Sequence, residues 1–424
     1  MQDLKLFGLP AQQGRWLFVP LGIIALLCLG TVYSWSIFRK PLEKLLTVGA
    51  TESLLPFAVL LAVFATLMPI AGRNIERYGA SKVTAVGGIV MGLGYFLSGF
   101  ATNIPTLIVT YGVIAGAGVG IAYGVPIAVA AKWFPDRKGL AVGFTVVGFG
   151  LSPLITAPIA KSLIESNGIG NTFKILGIAF TAIILAVASQ LKFPPADWQP
   201  IPQVSGAIGQ TGRNNLTSSR FQAATGENLL QLPSFYGLWI CYTIGTLAGL
   251  MAIGIASNVG TEIIKLDKST ATTAVSVFAI FNGAGRPIFG WLTDRLTPKL
   301  AAIISYVMIL IASIIMLNTG ANQSLNYFVA FGLFWLSLGG WLAIAPTATL
   351  SLFEPQNYPK NYGIVFTAYG VGAILGTLIA GSAKDIFGSY TFAFYPTAAL
   401  AIVGIFVATF ALKPSPPANK AISD

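Results

Sequence analysis

Long apolar runs, separated by short polar loops, dominate the chain from beginning to end. Twelve runs reach or approach the roughly 20 residues that a helix needs to cross the hydrocarbon core of a bilayer. They are Trp16–Phe38, Leu54–Ala71, Val83–Ala101, Leu107–Ala131, Gly139–Leu163, Phe173–Leu191, Phe235–Val259, Ala271–Trp291, Leu300–Leu317, Tyr327–Phe353, Gly363–Ala383 and Phe392–Leu412. The pattern predicts an all-α integral membrane protein with twelve transmembrane helices.

One polar stretch is much longer than the other loops. It runs from Lys192 to Asn228 and is rich in Pro, Gln, Ser, Thr and Asn. It lies between the sixth and seventh apolar runs, so it predicts two six-helix bundles, residues 1–191 and 229–424, joined by a linker, residues 192–228.

Composition and charge agree with this class. Hydrophobic residues make up 55% and charged residues 9% of the chain, whereas soluble domains average about 25% charged residues. Of the lysines and arginines, 16 fall on the side that holds both termini and the linker, and 8 fall on the other. The positive-inside rule therefore predicts cytoplasmic termini in a plasma (inner) membrane. It also accounts for the net charge of +11 without a nucleic-acid partner.

Several kinds of chemistry find no support in the residue inventory. The chain has no histidine, and its two cysteines, Cys28 and Cys241, lie inside apolar runs. Histidine-ligated metals and Ser-His triads are therefore excluded, and we expect no metal, no cofactor and no enzyme activity. A sensor with a transporter fold stays open, although the linker is short and polar for a signalling domain.

The two halves repeat each other. Gly72–Gly79 and Gly290–Thr297 both place a glycine before an acid-arginine pair, and Phe144–Gly150 and Phe366–Gly372 share the pattern F-T-x-x-G-x-G. Two related bundles that flank a site near the bilayer midplane are typical of secondary transporters.

Arg286 is the only charged residue in the run Ala271–Trp291. A central arginine disfavours insertion by roughly 2.5 to 3.5 kcal/mol and cannot lose its proton, so it needs an anion. We predict that this anion is the carboxylate of the substrate. The alternative is a side chain that extends towards Asp294 and Arg295 at the cytoplasmic side. Asn282, one turn earlier, shares the face of Arg286 and either binds the substrate or joins two helices.

The motifs resemble the major facilitator superfamily, whose loop signature G-x-x-x-[DE]-R-x-G is complete at Gly72–Gly79. Tyr33–Phe38, Lys132–Ala141 and Asn282–Pro287 are similar to the oxalate/formate antiporter family and its bacterial monocarboxylate relatives. The resemblance implies two bundles that rock about a central cavity. It also implies that an asparagine four residues before the arginine belongs to the substrate site.

The chain departs from the oxalate carrier of that family at two places. Tyr369 stands where the resemblance expects a second cation, a lysine, and helix ten offers only Leu338, Trp341 and Leu342 where an aromatic cage is expected. One arginine with phenol and amide donors suits a monoanion, because a second negative charge would remain desolvated. We therefore expect a small monocarboxylate as substrate.

Further candidates line the predicted cavity or its ends. Tyr123 matches a tyrosine that faces the cavity in relatives, and Tyr33, Trp35 and Phe149 are weaker candidates; for each of them helix packing is the alternative. Glu262 is the candidate for proton coupling, with a solvated loop acid as its alternative; coupling through Arg286 and the substrate alone also stays open. A cytoplasmic gate is predicted from the acid-arginine pairs, which are Glu76, Arg77, Asp136, Arg137, Asp294 and Arg295.

The sequence as a whole predicts a secondary active transporter of a small monocarboxylate, of the lactate or pyruvate type, that works by alternating access. Its expected partners are the organic anion, a proton and the lipid bilayer, and we expect a monomer. The alternative is an exchanger of oxalate and formate.

Overall fold

The computed structural model describes residues 4–195, 198–200, 229–353 and 357–412. After a short antiparallel hairpin, Lys5–Leu6 with Leu9–Pro10, the described chain is almost entirely helical. The membrane helices are α1 (Ala11–Leu46), α2 (Ala50–Tyr78), α3 (Ala80–Ser98), α4 (Ile104–Trp133), α5 (138–167), α6 (169–190), α7 (Pro233–Glu262), α8 (Lys268–Arg295), α9 (Pro298–Leu317), α10 (Ser324–Leu352), α11 (Tyr358–Phe387) and α12 (Phe394–Ala411). These helices confirm the predicted twelve-helix class. Most of the predicted linker, residues 196–197 and 201–228, lies outside the described residues.

Local sequence explains several helix ends. Gly168 separates α5 from α6 with a φ of 74°, a left-handed conformation that glycine adopts without strain. Asp267 accepts hydrogen bonds from the first backbone amides of α8, and Thr297 does the same for α9 ahead of Pro298. Helix α1 is not uniform, because Gly30–Ser34 forms a 3₁₀ segment between α-helical parts.

Helix α8 differs from the other membrane helices in composition. By length and hydropathy, ten stretches of the described residues are apolar enough to span a membrane; one of them contains both α5 and α6, and α8 is not among them. Its run was expected to be apolar enough to cross, but the helix carries Arg286, Asn282 and several small or hydroxylated residues. Most of these are buried against neighbouring helices, so α8 needs protein partners more than lipid.

Successive helices run in opposite directions, which defines two faces. We call the face where α1 begins and α12 ends the near face, and the other the far face. Glu262 at the end of α7 meets Lys40 near the end of α1 and Lys384 near the end of α11, all at the far face. Arg15 at the start of α1 meets Asp136 just before α5 at the near face.

The two halves, α1–α6 and α7–α12, touch mainly along two helix pairs, α2 with α11 and α5 with α8, and the far-face end of α1 also packs on α7. Small residues allow this approach: a Cβ on Gly381 would lie 2.5 Å from Cα of Thr51, and a Cβ on Gly370 would lie 3.0 Å from Cα of Ala62. Larger side chains there would push the halves apart.

Several glycines near the other ends of these helices have open space beside them, although α2 and α11 still approach closely where a Cβ on Gly363 would lie 2.5 Å from Cβ of Pro69. A Cβ added to Gly72, Gly139, Gly143 or Gly290 would meet no atom within 4 Å among the described residues. All four glycines lie towards the near-face ends of α2, α5 and α8.

Candidate functional site

Arg286 lies between the two halves, where α8 crosses α5. Its side chain is 6% exposed, and its Nη1 donates a hydrogen bond to the backbone oxygen of Val146. Nε and Nη2 have no hydrogen-bond partner, and no carboxylate lies within ion-pair distance, among the residues that the structure describes. The head group is therefore a buried cation anchored at one nitrogen, with the hydroxyl of Tyr123 as a neutral neighbour and no described carboxylate to balance its charge.

The two unpaired nitrogens have a specific geometry. Nε and Nη2 form one side of the planar guanidinium, and their N–H groups point the same way, which matches the two oxygens of a carboxylate. The Val146 contact occupies the remaining nitrogen and fixes the plane of the group. This arrangement can hold one carboxylate in a bidentate manner without releasing its anchor.

Asn282 lies one turn from Arg286 and is fully buried. Its Nδ2 donates to the backbone oxygen of Trp335 over 3.1 Å, which ties α8 to α10, whereas its Oδ1 has no partner in the described part of the chain. A Cβ on Gly150 of α5 would lie 2.6 Å from that Oδ1. Glycine in the repeated motif of α5 therefore leaves the space that the amide oxygen occupies.

Aromatic residues from both halves meet beside the arginine. The hydroxyls of Tyr33 and Tyr369 share a hydrogen bond of 2.6 Å between the halves. The ring of Phe149 lies 5.0 Å from that of Tyr33 and 5.2 Å from that of Tyr123, both in edge-to-face contact. Tyr33, Tyr123 and Tyr369 also interact electrostatically with Arg286. These phenols and the guanidinium form one cluster, which we call the central site.

Two residues of the central site carry no distinctive sequence signal. Phe64 on α2 lies 5.0 Å from the ring of Tyr123 and 5.9 Å from that of Tyr369, so it bridges the two halves. Trp335 receives the Asn282 hydrogen bond at its backbone and has a buried indole N–H without a described partner. Both sit in apolar runs, where only packing distinguishes them from other aromatic residues.

Two candidates from the sequence lie apart from this cluster. Trp341 packs inside the second half, with ring centroids 6.0 Å from Tyr242 and 5.4 Å from Tyr306. Trp35 packs inside the first half, where its indole N–H donates to the backbone oxygen of Ser53 over 3.0 Å. Leu338 lies against Gly249 of α7. Their predicted roles stay predictions.

Polar contacts join the halves at the far face. Glu262 forms ion pairs with Lys40 of the first half and with Lys384 of its own half, the latter at 2.6 Å. The carboxylate of Asp385 accepts hydrogen bonds from the backbone amides of Ala50 and Thr51, at 2.8 and 2.9 Å, at the start of α2. Asp385 thus acts as an N-terminal capping group for a helix of the other half.

Arg39 adds a third connection at this face. It is fully buried near the end of α1 and pairs with Glu43 over 2.9 Å. It also donates to the hydroxyl of Tyr390 over 2.9 Å and to the backbone oxygen of Gly254 over 3.4 Å, both in the second half. We call the inter-half contacts of Glu262, Asp385 and Arg39 the far-face ties.

Two acids of the predicted near-face gate pair within the first half. Glu76 pairs with Lys132 over 2.7 Å, and Asp136 holds Arg15 through two hydrogen bonds of 2.6 and 2.8 Å. Lys132 and Arg15 were not expected as their partners.

The arginines of the gate motifs lie over aromatic rings of their own helices. Arg77 lies 5.4 Å from the ring of Tyr78, and Arg295 lies 5.8 Å from that of Trp291. Asp294 is exposed near the end of α8, and Arg137 lies between α4 and α5. At the far face, by contrast, Glu262, Asp385 and Arg39 each tie one half to the other.

These features define the class: a multi-pass membrane transporter of two six-helix bundles with a polar, aromatic site between them. Comparison with known families agrees, because the Major Facilitator Superfamily profile matches residues 21–257 and 234–424. The chain belongs to the Major Facilitator Superfamily.

Curated relatives cover most of the chain at low identity. An uncharacterized MFS-type transporter YhjX of Escherichia coli is 29% identical over 86% of this chain and 87% of its own length. The oxalate:formate antiporter of Oxalobacter formigenes is 26% identical over 94% and 91%. Monocarboxylate transporter 12 of Xenopus laevis is 26% identical over 77% and 73%.

A solved structure supports the fold. A bacterial homolog of the human lysosomal transporter Spinster, in an inward-facing and unoccupied conformation, matches with a TM-score of 0.70 at 14% identity. The match covers 96% of this chain and 99% of that chain.

Proposed function

We propose that this transporter carries a small monocarboxylate, of the lactate or pyruvate type, across the plasma membrane. The observation that carries the proposal is the unpaired side of Arg286, two buried donors that no described residue satisfies. Buried charges are normally paired, and a transported carboxylate would provide the missing partner in each cycle. The names of two relatives, an oxalate:formate antiporter and a monocarboxylate transporter, support the same substrate class.

The aromatic lining favours a monoanion with a small apolar body. The described part of the central site offers one cation. The hydroxyls of Tyr33 and Tyr369 are hydrogen-bonded to each other. A dicarboxylate such as oxalate would leave one negative charge without a cation, which is costly at this depth. Phe64 and Phe149 provide edges and faces for a methyl-sized group.

Alternating access fits the distribution of contacts. With the far-face ties formed and the near-face glycines open, substrate would reach Arg286 from the near face, which the lysine and arginine count assigns to the cytoplasm. Breaking those ties and joining the near-face ends would expose the same site to the other side. The Arg286–Val146 bond crosses the halves and must change in that step.

We propose proton symport as the mode of coupling. Carrying a monoanion with a proton moves no net charge, and the substrate itself is a group that can carry that proton. Glu262, the other candidate, is held between two lysines in this conformation, and this double pairing favours its ionised form. Proton uptake by Glu262 would need these ion pairs to break as the far face opens.

The unpaired donors also favour a second mode, exchange of one carboxylate for another. An empty carrier must reorient with a buried guanidinium that is bonded at one nitrogen only, whereas a loaded carrier reorients with the charge neutralised. Exchange of the oxalate/formate type would then run faster than net uptake.

The test is uptake of radiolabelled formate, L-lactate, pyruvate and oxalate into proteoliposomes at two external pH values. Symport predicts lactate or pyruvate uptake that rises at lower external pH. Exchange predicts uptake that depends on internal carboxylate and is insensitive to a pH gradient. Oxalate uptake with no lactate or pyruvate uptake would contradict the monocarboxylate proposal.

A further inference from the structure

A second polar cavity lies away from the central site, at the far face. This far-face cleft has a volume of about 750 Å³ and lies between α1 and α5 of one half and α7 and α8 of the other. Its lining includes Ser36 and Lys40 on α1, Ser257 and Glu262 on α7, and the pair Lys161 and Glu165 on α5. Residues of both halves therefore face one space large enough for a small organic acid.

The first half contributes two donors to this cleft. Ser36 and Lys40 are one turn apart on α1 and so share a face of the helix. The Ser36 side chain is 1% exposed, and its hydroxyl has no hydrogen-bond partner among the described residues. A buried hydroxyl without a partner is unfavourable, and a ligand oxygen would satisfy it. An ammonium and a hydroxyl so arranged suit one carboxylate.

A carboxylate of the protein already occupies part of this arrangement. Glu262 binds Lys40 with one oxygen and Lys384 with the other. Its own half holds it through Lys384, while Lys40 belongs to the other half, so the Glu262–Lys40 pair is a contact between the halves. Half of the Lys40 side chain is exposed, at 49%, and an incoming anion can reach it from the cleft.

We infer that the far-face cleft is a carboxylate-binding site in which a small organic acid competes with Glu262 for Lys40. The acid's oxygens take the ammonium of Lys40 and the hydroxyl of Ser36, and Glu262 stays with Lys384. Binding of the acid thereby breaks one far-face tie, the ion pair between Glu262 and Lys40. This inference rests on the proposed function only for the identity of the anion.

The consequence is an opening of the far face that depends on substrate. A partly exposed ion pair contributes little, so its loss changes the open population by about two- to fivefold and does not open the face completely. The Asp385 and Arg39 ties remain and keep the empty carrier mostly closed. Anion at the cleft therefore raises the chance of opening on the side from which it arrives.

The experiment measures the distance between the halves at the far face. Spin labels are placed by Leu45→Cys and Leu325→Cys, which are 60% and 76% exposed and lie on different halves, in a chain with Cys28→Ala and Cys241→Ala. Double electron–electron resonance then gives the distance distribution in nanodiscs, with sodium L-lactate or with sodium chloride at equal ionic strength.

The first arm tests the tie. Glu262→Gln should raise the population at long distance about two- to fivefold without lactate. The matched control is Glu165→Gln, because Glu165 lines the same cleft but pairs with Lys161 of its own helix, at 3.8 Å. That control should leave the distribution unchanged. An unchanged distribution in Glu262→Gln would overturn the inference.

The second arm separates the cleft from the central site. Lactate should still lengthen the distance in Arg286→Gln, where the central cation is absent. Adding Lys40→Gln should abolish that response, and adding Lys40→Arg should preserve it. A lactate response that disappears with Arg286→Gln alone, or that survives Lys40→Gln, would overturn the inference.

Flux of the wild type is measured in parallel. Failure of the wild type to carry any tested acid would count against the proposed function. The response to lactate in the Arg286→Gln chain needs no transport, so the two outcomes are distinguishable.

Discussion

Replacing Arg286 by lysine keeps the charge but removes the geometry on which the proposal depends. In the structure Nη1 is bound to Val146, and Nε with Nη2 leaves two parallel donors for a carboxylate. Lysine presents one ammonium on a flexible stem and cannot reproduce both donors in that plane.

The expected size of the effect follows from the lost contact. One hydrogen bond to a charged group is worth about 1.5 to 3 kcal/mol. At 1.4 kcal/mol for each factor of ten, that is about a 10- to 150-fold loss of affinity. The loss of the Val146 anchor would add to it, because a shorter head group must choose between the backbone oxygen and the substrate.

The assay is L-lactate binding and uptake for wild type, Arg286→Lys and Arg295→Lys in proteoliposomes. Arg295 is the matched control. It lies on the same helix, but its guanidinium lies over the ring of Trp291 at the near-face end. We expect Arg295→Lys to bind L-lactate with the affinity of the wild type, because Arg295 lies away from the central site. If Arg286→Lys left both the affinity for L-lactate and the uptake rate unchanged, the hypothesis of bidentate carboxylate binding would be refuted.

Three other outcomes are expected. Tyr369→Lys should gain dicarboxylate binding, measured by oxalate competition, because it adds a second cation beside the arginine; unchanged selectivity would count against the role of this position. Tyr33→Phe removes the hydrogen bond of 2.6 Å between the halves and should change the rate of reorientation more than the affinity, as read from pre-steady-state uptake; equal effects would speak against a link between the halves. Asp385→Ala should lengthen far-face distances, since it removes a cap worth about 0.5 to 2 kcal/mol between the halves. Asp267→Ala, which removes a cap within one helix, should lower thermal stability without that shift.

The fold follows from the sequence because a bilayer imposes a simple rule. Apolar runs of about 20 residues must be helices, since helices satisfy their own backbone groups in lipid. The exception is informative: α8 is too polar to qualify by hydropathy alone, and its place among the membrane helices depends on burial of Arg286 and Asn282 against α5 and α10.

The centre of the candidate site was also visible in the sequence, for a related reason. A lone arginine in an apolar run is costly, which makes its position a hypothesis for a functional site, and the role of Arg286 stays a prediction. Phe64 and Trp335 could not be found this way, because a buried aromatic residue at a site looks the same in sequence as one in a core.

Local sequence patterns could not predict the far-face ties, because these contacts join residues that are far apart in the chain. Asp385 meets Ala50 across a separation of 335 positions, and Arg39 meets Tyr390 across 351. Neither hydrophobic periodicity nor a short motif indicates a contact between residues at such sequence separations. The near-face acids illustrate the same limit, since Asp136 pairs with Arg15, which is 121 positions away.

A structure of the protein with a transported monocarboxylate bound would test the role of Arg286 most directly. We predict that its two carboxylate oxygens lie at about 2.7 to 2.9 Å from Nε and Nη2 of Arg286, with the apolar body against Phe64 and Phe149. An acid bound elsewhere, with those two nitrogens still unpaired, would contradict the proposal that Arg286 binds the carboxylate of the substrate.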